Sequence, residues 1–113
     1  VTDAYNRRCA VTGEKTLPVL EAAHIRPFAE EGPNYVNNGL LLRADLHRLF
    51  DAGYVTVGPD LRFVVSGRIK EDYENGREYY ALQGKELVNK PESPLERPSR
   101  AQLAWHNERV FRA

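Results

Sequence analysis

One cysteine, no long apolar run and no net charge set limits on what a chain of 113 residues can be. The lone thiol, Cys9, can make no internal disulfide and cannot supply the paired thiolates of a structural zinc ribbon. Any bound metal must therefore rely on histidine and carboxylate ligands. No stretch approaches the roughly 20 apolar residues of a membrane span, and the start shows no basic-then-apolar signal pattern. A cytoplasmic location is the expectation. The formal charge of zero withholds the overall basic footprint that phosphate binding usually leaves. Residues 1–60 carry six Lys/Arg against eight Asp/Glu, and residues 61–113 carry ten against eight. The second half is the basic one, and phosphate contacts are expected partly from it.

What is present suffices for one core. A hydrophobic fraction of 42%, with six Tyr, four Phe and one Trp, supports a packed interior in a single domain spanning residues 1–113. Val1 to Arg8 begins abruptly and reads as the tail of a helix, so the chain is expected to be the C-terminal part of a longer protein. Cys9 to Gly13 reads as a short strand and turn, and Val19 to Ile25 as the next extended segment, together suggesting a hairpin. Residues 26–38 are rich in Pro, Gly and Asn and read as a long loop, a length uncommon without a function. Leu40 to Leu42 is a buried strand. A helix through Leu46, His47, Leu49 and Phe50 follows, with Asp45 at its start, and ends at Gly53. Tyr54–Val57 and Leu61–Val65 alternate around a Gly-Pro-Asp turn as a second hairpin. A short strand is possible over Tyr79–Leu82, and Ser99 caps a final helix in which Leu103, His106 and Val110 recur at helical spacing.

The chemistry concentrates between Leu20 and Gly53. A strand ends in His24, thirteen residues precede Asn38, and eight more precede His47 on the helix. Four elements stand in order: Cys9-x-Val11-Thr12-Gly13, Ala22-Ala23-His24-Ile25-x-Pro27, Asn38-Gly39-Leu40-Leu41-Leu42 and Leu46-His47-x-x-Phe50-Asp51. In these the chain resembles the HNH (His-Asn-His) endonucleases. The close match covers about half the chain, with the motif core at 9–53. The resemblance implies an α+β fold with a ββα-metal (His-Me finger) core, to which the second hairpin and the C-terminal helix are added. It also implies divalent-metal-dependent hydrolysis of DNA leaving 5′-phosphate and 3′-hydroxyl ends. Such hydrolysis needs an activated water, a cation to neutralise charge developing on the phosphate, and groups that align the two.

By resemblance His24 is the general base, a role that a neutral imidazole with an ordinary pKa of about 6.5 can fill at neutral pH. Asn38 would tie the loop to the His24 region and orient the His24 ring through a hydrogen bond. His47 would bind the ion, expected to be Mg²⁺, although imidazole ligation also suits Mn²⁺, Ni²⁺ or Zn²⁺. Asp51, at i+4 on the same helix face, is either a second ligand or an ion-pair or cap partner. Many relatives place Asp or His immediately before the general base as a ligand, where this chain has Ala23. Glu21, two residues earlier on the strand, is a candidate replacement, directly or through water. The cysteine zinc knuckle of some relatives is also absent, since Thr12 stands where a second thiolate would come.

Each residue has a plainer reading. His24 and His47 could be hydrogen-bonded structural histidines, and Asn38 could occupy a left-handed turn before Gly39. Arg26, Arg43 and Arg48 flank the motif as phosphate contacts or as solvated charges. His106 is expected to be structural, and Tyr73, Tyr79 and Tyr80 to be core residues. A different class of reading is a nuclease-like module that binds nucleic acid or protein without cutting. In the enzymatic reading DNA is the partner and a separate recognition region chooses the target.

Overall fold

The strand that ends at His24 finds its partner across the polar loop. In a computed structural model, which describes residues 1–113, β1 (Leu20–His24) pairs antiparallel with β2 (Gly39–Arg43), setting Glu21 opposite Leu42 and His24 opposite Gly39. The β2 leucines are buried at every position, Leu40, Leu41 and Leu42 all being 0–1% exposed. A strand covered on both faces reads as a continuous apolar run, as this one does.

Helix α1 (Ala44–Ala52) follows at once, with Leu46 and Phe50 buried and Asp45 in its first turn. Gly53 ends it in the left-handed region at φ 87°. The Gly53 N–H donates to the Phe50 carbonyl at 3.2 Å and the Tyr54 N–H to the Leu49 carbonyl at 2.9 Å, which satisfies two of the helix's free acceptors. The second hairpin then forms, β3 (Val55–Val57) against β4 (Phe63–Val65). Two short helices, α2 (Arg68–Tyr73) and α3 (Arg77–Tyr80), lead to a long connection and α4 (Arg100–Arg109). Ser99 caps α4 through its hydroxyl, which accepts the Gln102 N–H at 3.5 Å. The ββα unit with an added hairpin and C-terminal helix is thus the architecture observed.

Three local expectations are corrected. Residues 9–13 are turns, not a strand paired with β1. The Gly13 N–H closes back on the Cys9 carbonyl at 2.9 Å, which leaves Ala10 to make one contact with β2, its N–H donating to the Leu41 carbonyl at 2.8 Å. Cys9 itself is buried, and its Sγ accepts the backbone N–H groups of Thr12 and Arg43 at 3.5 and 3.4 Å. Residues 2–7 likewise form turns in place of a helix end, with Asn6 and Arg7 left-handed at φ 55° and 57°. Tyr79 to Leu82 is helical or turn, because Tyr80 and Ala81 donate locally to the Gly76 and Arg77 carbonyls at 2.8 and 3.2 Å. The edge of β4 that such a strand would need is taken by residues 84–86: Phe63 exchanges backbone bonds with Gly84 and Lys85, and Arg62 bridges Glu86.

Candidate active site

His24 is the last residue of β1 and stands exposed, while its neighbours Ala23 and Ile25 are each 1% exposed. The buried pair fixes the backbone on either side, so the ring projects from an anchored point. Beyond it the loop closes tightly. The Asn38 side chain, fully buried, accepts the Arg26 N–H at 3.0 Å through Oδ1 and donates through Nδ2 to the Arg26 and Pro33 carbonyls, both at 2.9 Å. The Ile25 N–H adds a bond to the Asn38 carbonyl at 2.9 Å. Gly32 has no room for a side chain, since a Cβ there would lie 1.8 Å from the Arg26 carbonyl oxygen.

These bonds correct the expected contact between Asn38 and the His24 ring. The amide's hydrogen bonds go to main chain on both sides of the loop, so it acts on His24 through the backbone that carries it. Asn38 is also right-handed in a 3₁₀ turn, Val36–Asn38, and the left-handed alternative is set aside.

His47 lies at the centre of a row. Its Nδ1 is 2.8 Å from Glu21 Oε1 and its Nε2 is 3.1 Å from Asp51 Oδ2. The i,i+4 spacing on α1 explains the second contact, and the packing of β1 beside the helix brings in Glu21. Partial burial pushes the Asp51 carboxyl above the usual carboxylate range, opposed by the nearby imidazoles of His47 and His24 and assisted by Glu21. The carboxyl also sits in the last turn of α1, where the helix dipole disfavours negative charge. Both effects favour a cation at this place.

A cavity of about 250 Å³ joins the two halves of the motif, with His24, His47 and Asp51 in its wall. Ala22, Ile25 and Pro27 complete one side, and His106 and Val110 of the C-terminal segment complete the other. His24 also borders a second hollow of about 140 Å³ on the loop side, beside Asn34, Tyr35 and Asn38. An imidazole between two accessible spaces can meet both a water and a substrate.

No three His, Cys, Asp or Glu side chains converge on one point as a finished metal seat. The row explains why: the imidazole stands between the two carboxylates and turns a different nitrogen to each. One ring nitrogen and one carboxylate nevertheless suit a divalent ion that keeps most of its waters, as Mg²⁺ does. The position of Ala23 offers nothing further, its methyl being buried in the core.

The arginines divide. Arg43 donates through Nε and Nη2 to the two carboxylate oxygens of Asp45, at 2.7 and 3.0 Å, and Asp45 also accepts from Tyr79 at 2.9 Å. That network joins α1 to α3 and engages Arg43 away from a phosphate role. Arg26 donates to the Glu30 carbonyl and lies 5.3 Å from the centre of the Trp105 ring, so a residue of α4 supports the loop beside His24. Arg48 is exposed and stands in none of the ion pairs. The contribution of α4 was not foreseen as part of the site. His106 was legible as structural, but only the packing of α4 shows that it also forms a wall of the cavity.

Residues 9–58 match the family model described as HNH endonuclease. Among solved structures, a modification dependent TagI restriction endonuclease superposes with a TM-score of 0.64 at 24% identity, over 97% of this chain and 35% of that one. The chain therefore shares that enzyme's fold over about a third of its length. No curated protein matches the chain.

Proposed function

Since the chain belongs, through residues 9–58, to the HNH endonuclease family, we propose that it hydrolyses DNA phosphodiesters in a divalent-metal-dependent reaction. The observation that carries the proposal is the single cavity whose wall holds His24, His47 and Asp51 together. His24, exposed at the end of β1, takes a proton from the attacking water. Asn38 keeps that strand end in place through the Arg26 and Pro33 backbone. His47 and Asp51 provide the seat for the cation. When bound, a divalent ion would supply charge neutralisation at the phosphate and the leaving oxygen, and the family resemblance implies 5′-phosphate and 3′-hydroxyl ends. Mg²⁺ fits a seat of one carboxylate and one imidazole, and Mn²⁺, Ni²⁺ and Zn²⁺ accept the same donors.

Arg26 and Arg48 are the proposed phosphate contacts within the motif. Target choice belongs to a further region of a longer protein, a reading supported by the chain's likeness to a restriction enzyme over only 35% of that enzyme's length. A second reading, a module that binds without cutting, draws on two observations: an alanine stands at 23, and the net charge is zero. Cleavage of supercoiled plasmid separates the two. The proposal expects nicking with Mg²⁺ or Mn²⁺ that is lost in His24→Ala and with chelator. DNA binding by a folded protein that never nicks would favour the binding module.

A further inference from the structure

We propose that Glu21 is a positioning residue and not a metal ligand: it holds the Nδ1 edge of His47 so that Nε2, together with Asp51, faces the cavity shared with His24. The inference rests on the metal-dependent reading above and assigns the two carboxylates different work. An imidazole binds one ion through one nitrogen, and the carboxylates stand at opposite nitrogens, 2.8 Å from Nδ1 and 3.1 Å from Nε2. Only one of them can share an ion with the ring. The cavity decides which. Its wall includes His24, His47 and Asp51 but not Glu21. An ion on Nε2 and Asp51 would therefore face the cavity that His24 also lines, whereas one on Nδ1 and Glu21 would sit outside it.

With Nε2 given to the ion, Nδ1 would keep its proton and hydrogen-bond through it to Glu21 Oε1 at 2.8 Å. A carboxylate behind a ligating imidazole fixes the ring's tautomer and rotation and makes the ligand nitrogen more basic. Glu21 can do this from β1 because its register opposite Leu42 is set by the sheet. Its side chain is 49% exposed, so substitution there leaves the core intact.

The test is Zn²⁺ binding to the whole chain, followed by the ring nitrogen resonances of its three histidines and by calorimetric affinity. Zn²⁺ is a diamagnetic probe, and His106 serves as an internal reference because both its nitrogens are hydrogen-bonded inside the core. The expected result is a shift at His47 Nε2 with Nδ1 remaining protonated. Glu21→Ala should weaken binding by about 10–100-fold, and Glu21→Gln should restore much of the loss, because an amide oxygen still accepts the Nδ1 proton. A ligand role predicts the reverse pattern, with Gln as poor as Ala and the metal shift at Nδ1. That pattern, equal affinity in all three proteins, or no Zn²⁺ binding by the wild type would each overturn the assignment. Wild-type protein that gives the expected shifts yet never cuts plasmid would count against the nuclease reading and leave the role of Glu21 standing.

Discussion

Asn38 shows what one side chain can hold. Its amide is fully buried and closes the loop between His24 and β2 with three bonds to main chain. Deleting it leaves partly buried backbone groups without partners, each costing up to about 1–3 kcal/mol. Asn38→Ala is expected to destabilise the domain by about 2–4 kcal/mol in urea unfolding and to hasten proteolysis between residues 26 and 37. Asn38→Asp keeps the acceptor for the Arg26 N–H but sets an oxygen against two carbonyls, so it should not rescue stability. Full stability in either variant would contradict the loop-closing role. The four motif elements and the family they resemble are what singled out His24, Asn38 and His47 in the sequence. The partner of the Asn38 amide was not, because it depends on the path of a loop whose turns carry no periodicity.

Among the elements, α1 was read correctly to its end because glycine at 53 is chemically specific: a left-handed residue with no space beside it. A Cβ at Gly53 would lie 2.1 Å from the Val110 carbonyl oxygen, in addition to the strain of φ 87°. Gly53→Ala is expected to cost more than the roughly 1 kcal/mol of the left-handed conformation alone, seen as a fall in Tm. A loss no larger than that would mean the C-terminal segment moves aside freely. The β1 partner was less legible. Residues 9–13 and 19–25 are neighbours in sequence and both apolar, which favours a local hairpin on paper. The strand that holds Leu40–Leu42 competes better, since β2 pairs over all five β1 residues and its three leucines are buried.

At the scale of the molecule, α4 is held to the motif by a buried histidine. His106 stacks on Phe50 at 3.7 Å, donates through Nε2 to the Phe50 carbonyl at 2.8 Å and accepts the Thr56 hydroxyl at Nδ1 at 2.7 Å. Burial drives its pKa down to about 4, against the opposing pull of the Phe50 carbonyl. The unfolded chain, with an ordinary value of about 6.5, therefore binds the proton first. This contribution to stability is complete above about pH 6.5, falls as the pH drops toward about 4 and then levels off, a loss on the order of 3 kcal/mol. Urea midpoints measured across that window should show the slope in the wild type and a flatter profile in His106→Gln. Equal slopes would place the acid sensitivity elsewhere. The helical spacing revealed α4 and its buried side, but its docking over the cavity is a long-range contact that no local pattern encodes.

The central claim is that His24 acts as the base, and chemical rescue tests it most directly. His24→Ala removes an exposed ring beside a cavity of about 250 Å³, which leaves room for a small base to enter from solution. Nicking of supercoiled plasmid by His24→Ala in Mg²⁺ or Mn²⁺ should be lost and then partly restored by added imidazole, rising with the concentration of its neutral form. Undiminished nicking by His24→Ala without imidazole would contradict the account.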